Sequence, residues 1–338
     1  MAWPVTWRVM VGGVDATSRM NEYVESIECA GHAGGQVDEA RLTLNNAGGL
    51  LRAPPRNTPV TIIIEGRTRF EGFTDAPESV VTRGGGRLLE IACTAMDKTG
   101  KLKQAIHLHR DECSLTDFLE AAAKAAGVTI TVDKAFADYR RPYWSTRGRD
   151  FLRLGQMLAD DLGATFKIRG NRAVFAARGG GTAPGGGTTP TILATAGVNL
   201  IECRIRPYEG RERYAKARAR RYDRDKAKWL YEDVEIGDVP GGLDVRALLD
   251  EDRPDAESAR RSAQGRKTES EREGGSGSLT ILYDPDVEVE GTCIVRGVDV
   301  SADGPYRIEG WRDTITRQGG AEQELEVKQP RDEPEAEE

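Results

Sequence analysis

Over the first hundred residues, apolar and polar positions alternate in short runs separated by turn residues. Alternation with a period of two is typical of strands that bury one face, and a spacing of about 8–12 residues between runs is typical of an all-β barrel or sandwich. The runs span residues 5–11, 23–29, 39–44, 59–65, 69–74 and 87–94. We therefore predict that residues 1–100 form a first β domain.

The pattern then changes to a helical period. Ser114 is a typical helix N-cap, with Asp117 at the capping-box position, and a glycine follows the predicted helix as its stop. A second helix is predicted over residues 150–162, whose apolar side chains recur on one face, and a β-hairpin over 165–176 follows it. Residues 101–178 are thus predicted to form a small α+β insertion domain.

The remainder of the chain is predicted to hold a second β domain. Residues 179–194 are rich in glycine and predict a flexible loop, because such a sequence cannot build a core. Alternating runs return within 195–330, where residues 254–272 predict a polar helix. The runs span 200–206, 214–222, 278–283, 291–297, 304–315 and 323–328. Residues 331–338 carry a net charge of −4 and predict a disordered acidic tail.

Length and composition limit the class of protein. A chain of 338 residues exceeds the size of about 250–300 residues at which single cores stop growing, which predicts more than one domain. Its net charge of −7 repels nucleic acid and acidic membranes. Five scattered cysteines without a CxxC pair indicate reduced thiols in a protein made in the cytoplasm. No signal peptide and no long apolar run is evident, so we expect no membrane insertion.

Few residues have a pattern that suggests catalysis. His107, His109 and Cys113 could supply three metal ligands, but no fourth is evident and a solvated strand edge is the favoured interpretation. Neither a GxSxG elbow nor a GxxxxGK[ST] phosphate loop occurs. Carboxylates are abundant, yet a glycosidase pair needs a defined separation in space that a sequence does not show. We therefore predict no catalytic residue, no metal site and no cofactor.

The strongest local anomaly is a basic segment over residues 211–228, which has nine basic and three acidic residues within an acidic protein. Lys216, Arg218 and Arg220 alternate with alanines, so that a strand would carry cations on one face and methyl groups on the other. The segment could track the phosphates of passing DNA, or it could face an acidic neighbour at a subunit contact. The second interpretation is favoured because aromatic residues are not interleaved with the cations.

The order of elements resembles the late-control D family, the hub proteins of contractile phage tails, whose fold also occurs in the N-terminal part of type VI secretion spike proteins. The most specific segment is Arg-Asp-Phe-Leu-Arg-Leu-Gly-Gln-Met-Leu-Ala at 149–159, which precedes the Gly-Ala-Thr-Phe hairpin at 163–166. Further similar segments lie at residues 15–17, 38–51, 114–119 and 303–311.

The resemblance implies a mainly β chain with two tube-like β-barrels and the α+β insertion between them. It implies a homotrimer whose six barrels form a pseudo-sixfold ring in the baseplate of a virion, between the tail tube and the spike. The implied partners are further copies of the chain, the tail tube protein, the spike protein, baseplate wedge proteins and the tape-measure protein, with DNA or other cargo only in transit. A tail-associated peptidoglycan hydrolase and a DNA-binding tail component acting through residues 211–228 are the alternatives.

Overall fold

The computed structural model describes most of the chain and shows a mainly β fold, which confirms the predicted class. The described residues are 3–33, 37–96, 101–177, 190–206, 216–223, 228–235, 246–248, 259–263 and 276–328. Among them, no helix is both long enough and apolar enough to cross a membrane.

The first β unit contains seven strands and one short helix. They are β1 (Trp7–Val11), β2 (Val14–Asp15), α1 (Thr17–Met20), β3 (Val24–His32), β4 (Glu39–Asn45), β5 (Pro59–Ile64), β6 (Arg67–Thr82) and β7 (Gly86–Thr94). Each predicted run in residues 1–100 lies in one of these strands. The hairpin of β6 and β7 is longer than predicted, because Thr82 still pairs with Gly86 at its tip.

The insertion packs two helices against short strands. Its elements are a 3-10 helix (Lys101–Lys103), β8 (His109–Ser114), α2 (Leu115–Ala126), β9 (Thr129–Val132), a second 3-10 helix (Lys134–Phe136), β10 (Arg140–Ser145), α3 (Phe151–Leu162), β11 (Ala164–Arg169) and β12 (Arg172–Ala177). It has its own apolar core, in which the buried faces of α2 and α3 meet β11 and β12.

The second β unit contains five of the six runs predicted for it, together with the unpredicted β13, while the run over 214–222 lies in a separate sheet. Its strands are β13 (Thr191–Thr195), β14 (Leu200–Arg206), β18 (Ser276–Leu282), β19 (Thr292–Arg296), β20 (Gly304–Thr316) and β21 (Gly320–Lys328). Between β14 and β18 the chain forms a separate three-stranded sheet of β15 (Lys216–Asp223), β16 (Lys228–Glu235) and β17 (Arg246–Leu248).

The two β units are joined in one hydrogen-bonded sheet. The path runs β14-β18-β21-β20-β3-β4-β7-β6-β5-β1-β2, with β13 and β19 attached beside β20. The joint is the antiparallel pairing of β20 with β3, from Gly310 opposite His32 to Thr316 opposite Ser26. One apolar core cluster contains buried residues of both units. The chain therefore presents its two β units as a single packed body.

Both predicted helices of the insertion are confirmed, together with the signals that begin and end them. Ser114 and Asp117 form a complete capping box at the start of α2. Asp150 caps α3 by accepting a hydrogen bond from the Arg153 N–H. The C-terminal glycine of α3, Gly163, has a φ of 62°, a left-handed conformation that costs glycine little.

Some elements differ from the prediction. The loop predicted over 179–194 is wrong for its last four residues, which belong to β13 and bury Ile192 and Ala194; residues 179–189 lie outside the described residues. β8, β10, β16 and β17 were not predicted, because polar strands such as β8 lack an apolar face that would reveal them. Of the predicted helix over 254–272, residues 259–263 are helical and the rest lies outside the described residues. The predicted acidic tail at 331–338 also lies outside them.

Replacing the helix cap tests how far local signals stabilise the insertion. The Ser114 Oγ accepts the Asp117 N–H at 3.1 Å and donates to Asp117 Oδ2 at 2.6 Å. We expect Ser114→Ala to lower the free energy of unfolding by about 1 kcal/mol, because the Asp117 N–H in the first turn of the helix loses its acceptor. Glu120→Ala, on the exposed face of the same helix, is the matched control and should change it by less than about 0.5 kcal/mol. Denaturant titration measures both, and equal losses would contradict the role of the cap.

Candidate functional site

A buried ion pair connects the two β units. Arg69 lies on β6 of the first unit and Asp313 on β20 of the second, and their side chains are 1% and 0% exposed. The Arg69 Nε donates to Asp313 Oδ2 at 2.7 Å, and the Nη2 donates to Oδ1 at 3.2 Å. This two-point geometry is the strong form of an arginine–carboxylate contact. The pair therefore sets the position of one unit against the other.

Neighbouring groups complete the hydrogen bonding of this pair. The Arg69 Nη1 donates to the Val287 carbonyl at 2.7 Å, and Gln323 Nε2 donates to Asp313 Oδ1 at 2.6 Å. Burial alone would lower the pKa of Arg69, but the adjacent charge of Asp313 outweighs it and the pKa lies above its ordinary value. The guanidinium thus stays charged inside the protein.

Trp311 covers the ion pair. The guanidinium carbon of Arg69 lies 3.7 Å from the centroid of the Trp311 ring, which is within cation–π distance. The ring also lies against Gly31 on β3, where an added Cβ would be only 2.6 Å from it. Glycine at this position therefore lets the tryptophan lie flat over the joint between β3 and β20.

Two further buried ion pairs lie near the insertion. Lys167 on β11 lies 2.9 Å from Asp38 of the first unit, with both side chains 3% exposed. On the other side, Thr165 donates to Glu290 at 3.0 Å, and Glu290 also accepts two hydrogen bonds of 2.9 Å from Arg307. The insertion is thus anchored to both β units by buried polar contacts.

The two ends of the long sheet differ in how they are covered. At the first end the Val9 N–H donates to Thr17 Oγ1 at 3.0 Å, and the Ala16 N–H donates to the Val9 carbonyl at 2.9 Å, so α1 closes part of the edge of β1. At the other end β14 pairs only with β18 in the described part of the chain, and Ile201 is exposed. An open strand edge presents unpaired backbone groups to a neighbouring chain.

The predicted basic strand is β15, of which one cation is described in full. Arg218 forms a bidentate ion pair with Asp233 on β16, with both N–O distances 2.6 Å. This hydrogen bonding raises the pKa of Arg218. The backbone register places Lys216 opposite Glu235 and Arg220 opposite Tyr231, while the side chains of Lys216 and Arg220 lie outside the described residues. The acidic partner of Arg218 is therefore within its own chain.

The pair of strands β15 and β16 also carries exposed aromatic residues that were not predicted. Trp229 and Tyr231 on β16 are exposed, and the Arg218 guanidinium lies 5.2 Å from the Tyr231 ring. On the opposite face Ala219 is buried against Ala259, as the alternating alanines predicted. The aromatics are not interleaved in the basic segment itself; the cross-strand register brings them beside it. The alternation of Trp229 and Tyr231 in the sequence is the signal that could have predicted β16 and its exposed aromatic side chains.

The candidate metal ligands do not form a site in the described residues, where no three His, Cys, Asp or Glu side chains gather. His109 on β8 instead stacks with Tyr143, at a centroid distance of 6.5 Å. All five cysteines are free, and burial raises the pKa of Cys93 and of Cys293 to about 12. Such thiols stay protonated at neutral pH and are poor nucleophiles.

Removing Arg69 should destabilise the whole body. Arg69→Met leaves the Asp313 carboxylate buried without its counter-ion, so we expect the free energy of unfolding to fall by about 3–5 kcal/mol. Adding Asp313→Leu should recover much of that loss, because no charge is then buried alone. Chemical denaturation of the purified chain measures both variants.

A matched control lies two residues away on the same strand. Arg67 pairs with Asp286 at 2.7 Å across the same two units, but their side chains are 65% and 54% exposed. Arg67→Ala should therefore cost at most about 1 kcal/mol. If Arg69→Met cost no more than this control, the buried pair would not be what holds the units together.

Comparison with solved structures shows which proteins share this fold. The 43 kDa tail protein of prophage MuSo2 from Shewanella oneidensis superposes with a TM-score of 0.71 at 15% identity, over 96% of this chain and 98% of that one. A tail protein from Neisseria meningitidis MC58 superposes with a TM-score of 0.71 at 14% identity, over 97% of both chains. The E. coli c3393 protein, a component of the type VI secretion system, gives a TM-score of 0.59 at 11% identity, over 96% of this chain and 77% of that one.

No family model and no curated protein matches the sequence. The structural likeness extends over nearly the whole chain, so it includes both β units and the insertion between them. The chain therefore has the fold of these phage tail proteins and of the type VI secretion component.

Proposed function

We propose that this chain is a structural subunit of a contractile, phage-type tail and not an enzyme. The fold that it shares with two phage tail proteins along almost their full lengths supports this role. The proposal also fits the chemistry of the interior, where the buried charges Arg69 and Asp313 are paired and hydrogen-bonded to hold two units together. Charged side chains that are paired and hydrogen-bonded in this way have a structural role and are not available for catalysis.

Within the tail, we propose the position of a hub in the baseplate of the virion. Three copies would form a homotrimeric ring, and their six β units would give pseudo-sixfold symmetry between a tail tube and a spike. The observation that carries the proposal is the single sheet that unites both β units of one chain and ends at β14, whose second edge has no strand partner in the described part of the chain. A ring of copies would cover such edges, since closed symmetry removes them.

The proposed partners follow from this position. They are the tail tube protein above the ring, the spike protein below it, baseplate wedge proteins around it and the tape-measure protein, with DNA passing through. Membership of the late-control D family is part of the same proposal. A tail-associated peptidoglycan hydrolase is the enzymatic alternative, and release of soluble fragments from purified peptidoglycan would support it over the hub.

The mass of the purified chain in solution tests the ring. We expect light scattering at about 100 µM to give three times the 36.9 kDa of one chain, because the open edge of the sheet is covered only in the assembly. Negative-stain images of the same sample should show rings with a central opening. A chain that stays monomeric at that concentration, and is missing from isolated tails, would overturn the hub proposal.

A second candidate function, DNA binding through the basic segment, is favoured by the exposed Trp229 and Tyr231 beside Arg218. Arginine and aromatic side chains on one surface can stack with bases and contact phosphates. Against this, Arg218 is neutralised by Asp233 and the chain as a whole has a net charge of −7.

Retention on DNA separates the two functions. Under the hub proposal we expect no retention on DNA-cellulose at about 150 mM salt, because an acidic protein repels phosphates. Salt-sensitive retention that is lost when Lys216, Arg218 and Arg220 are changed to Glu would instead support DNA binding. Changing Lys103, Arg110 and Lys124 to Glu, three exposed cations of the insertion, is the control, because it alters the net charge by the same amount.

A further inference from the structure

The first β unit carries an open cleft with an apolar interior. Its volume is about 430 Å³, and its walls come from β1, β2, α1, β4 and β7 together with Leu51 and Pro54. Nine of its eleven lining residues are apolar, including the buried Leu44, Leu89 and Ile91. An apolar cleft of this size is a typical binding site for a bulky side chain.

The remaining two lining residues are arginines, and no carboxylate lines the cleft. Arg19 and Arg52 are both exposed, and in the part of the chain that the structure describes neither forms an ion pair. Two unpaired guanidinium groups beside apolar walls favour an apolar side chain that is flanked by carboxylates. We therefore expect the cleft to bind a protein segment in which an exposed apolar side chain lies between carboxylates.

The second β unit presents a loop with that combination. Residues 297–303 connect β19 to β20, and Val300 in the middle of the loop is fully exposed. Asp299 lies directly before it, and Asp303 follows three residues later. A fully exposed valine gains free energy from any contact that removes it from water.

The loop is held in shape by its own carboxylates. Asp299 accepts hydrogen bonds from the Ser301 N–H at 2.8 Å and the Ala302 N–H at 3.0 Å. Asp303 accepts from the Gly297 and Val298 N–H groups, both at 2.8 Å. Hydrogen bonding from Ser301 lowers the pKa of Asp299, so this carboxylate is ionised at neutral pH. A preorganised loop loses little entropy when it binds.

We propose that Val300 of one copy of the chain inserts into the Arg19–Arg52 cleft of the next copy. The valine would bury its side chain against the apolar walls, while Asp299 and Asp303 face the two arginines. The contact is heterologous, because the loop belongs to the second β unit and the cleft to the first. Such head-to-tail contacts generate rings when the rotation closes. The inference rests on the proposed ring and names one contact within it.

Charge reversal at the exposed positions tests the contact. Val300→Lys places a cation against two arginines, and we expect the dissociation constant for self-association of the full chain to rise at least about tenfold. The double variant Arg19→Glu, Arg52→Glu should weaken association similarly. Combining all three changes should restore much of the affinity, because the new lysine then faces two carboxylates. Sedimentation velocity over a concentration series measures each dissociation constant.

Val81→Lys is the matched control, since Val81 is also an exposed valine but lies outside the cleft and the loop. All variants change exposed side chains, so at a concentration low enough for every chain to be monomeric their melting temperatures should equal that of the unaltered chain. The contact would be overturned if Val300→Lys associated as strongly as Val81→Lys, or if the triple variant recovered no affinity. In either case the ring proposal would stand, and the cleft would be assigned to a different protein. An unaltered chain that never associates would overturn both.

Discussion

The guanidinium of Arg69 and the carboxylate of Asp313 are opposite charges that are both fully buried, and the arrangement of the chain depends on keeping them together. Either charge alone would cost several kcal/mol to bury. A displacement that separates the two β units within the core would leave both charges buried without a counter-ion, and this cost opposes it. The Val287 carbonyl and Gln323 satisfy the remaining hydrogen-bonding groups, and Trp311 covers the guanidinium. The pair holds β6 of the first unit against β20 of the second.

This constraint has a consequence for assembly. Because both β units belong to one sheet and one core, a chain offers neighbouring copies a rigid body with two different β surfaces. The insertion is anchored to that body by buried polar contacts of Lys167 and Glu290. In the proposed ring, the edge of β14, which pairs with β18 alone among the described strands, would meet a neighbouring copy, and the same contact would recur between successive copies.

Capping residues and hydrophobic periodicity predicted the helices of the insertion and the strands that bury one face. The helices of the insertion lie where the capping box at Ser114 and the apolar face of residues 150–162 predicted them, since both signals act over a few neighbouring positions. Strands with alternating burial were found for the same reason. β8 was missed because its polar sequence buries almost nothing that a pattern could reveal, and β10 because Arg141 and Trp144, its two buried residues, are three positions apart and do not alternate.

The sequence by itself determined the mainly β class, the two helices and the position of the insertion, because hydrophobic period and capping residues act over a few neighbouring positions. It also placed Arg218 on a strand with cations and alanines on opposite faces. Only the tertiary structure decided that Asp233 neutralises Arg218, and that Arg69 meets Asp313 across 244 residues. Pairings of this kind depend on strand register and on which faces pack together, which no local pattern records.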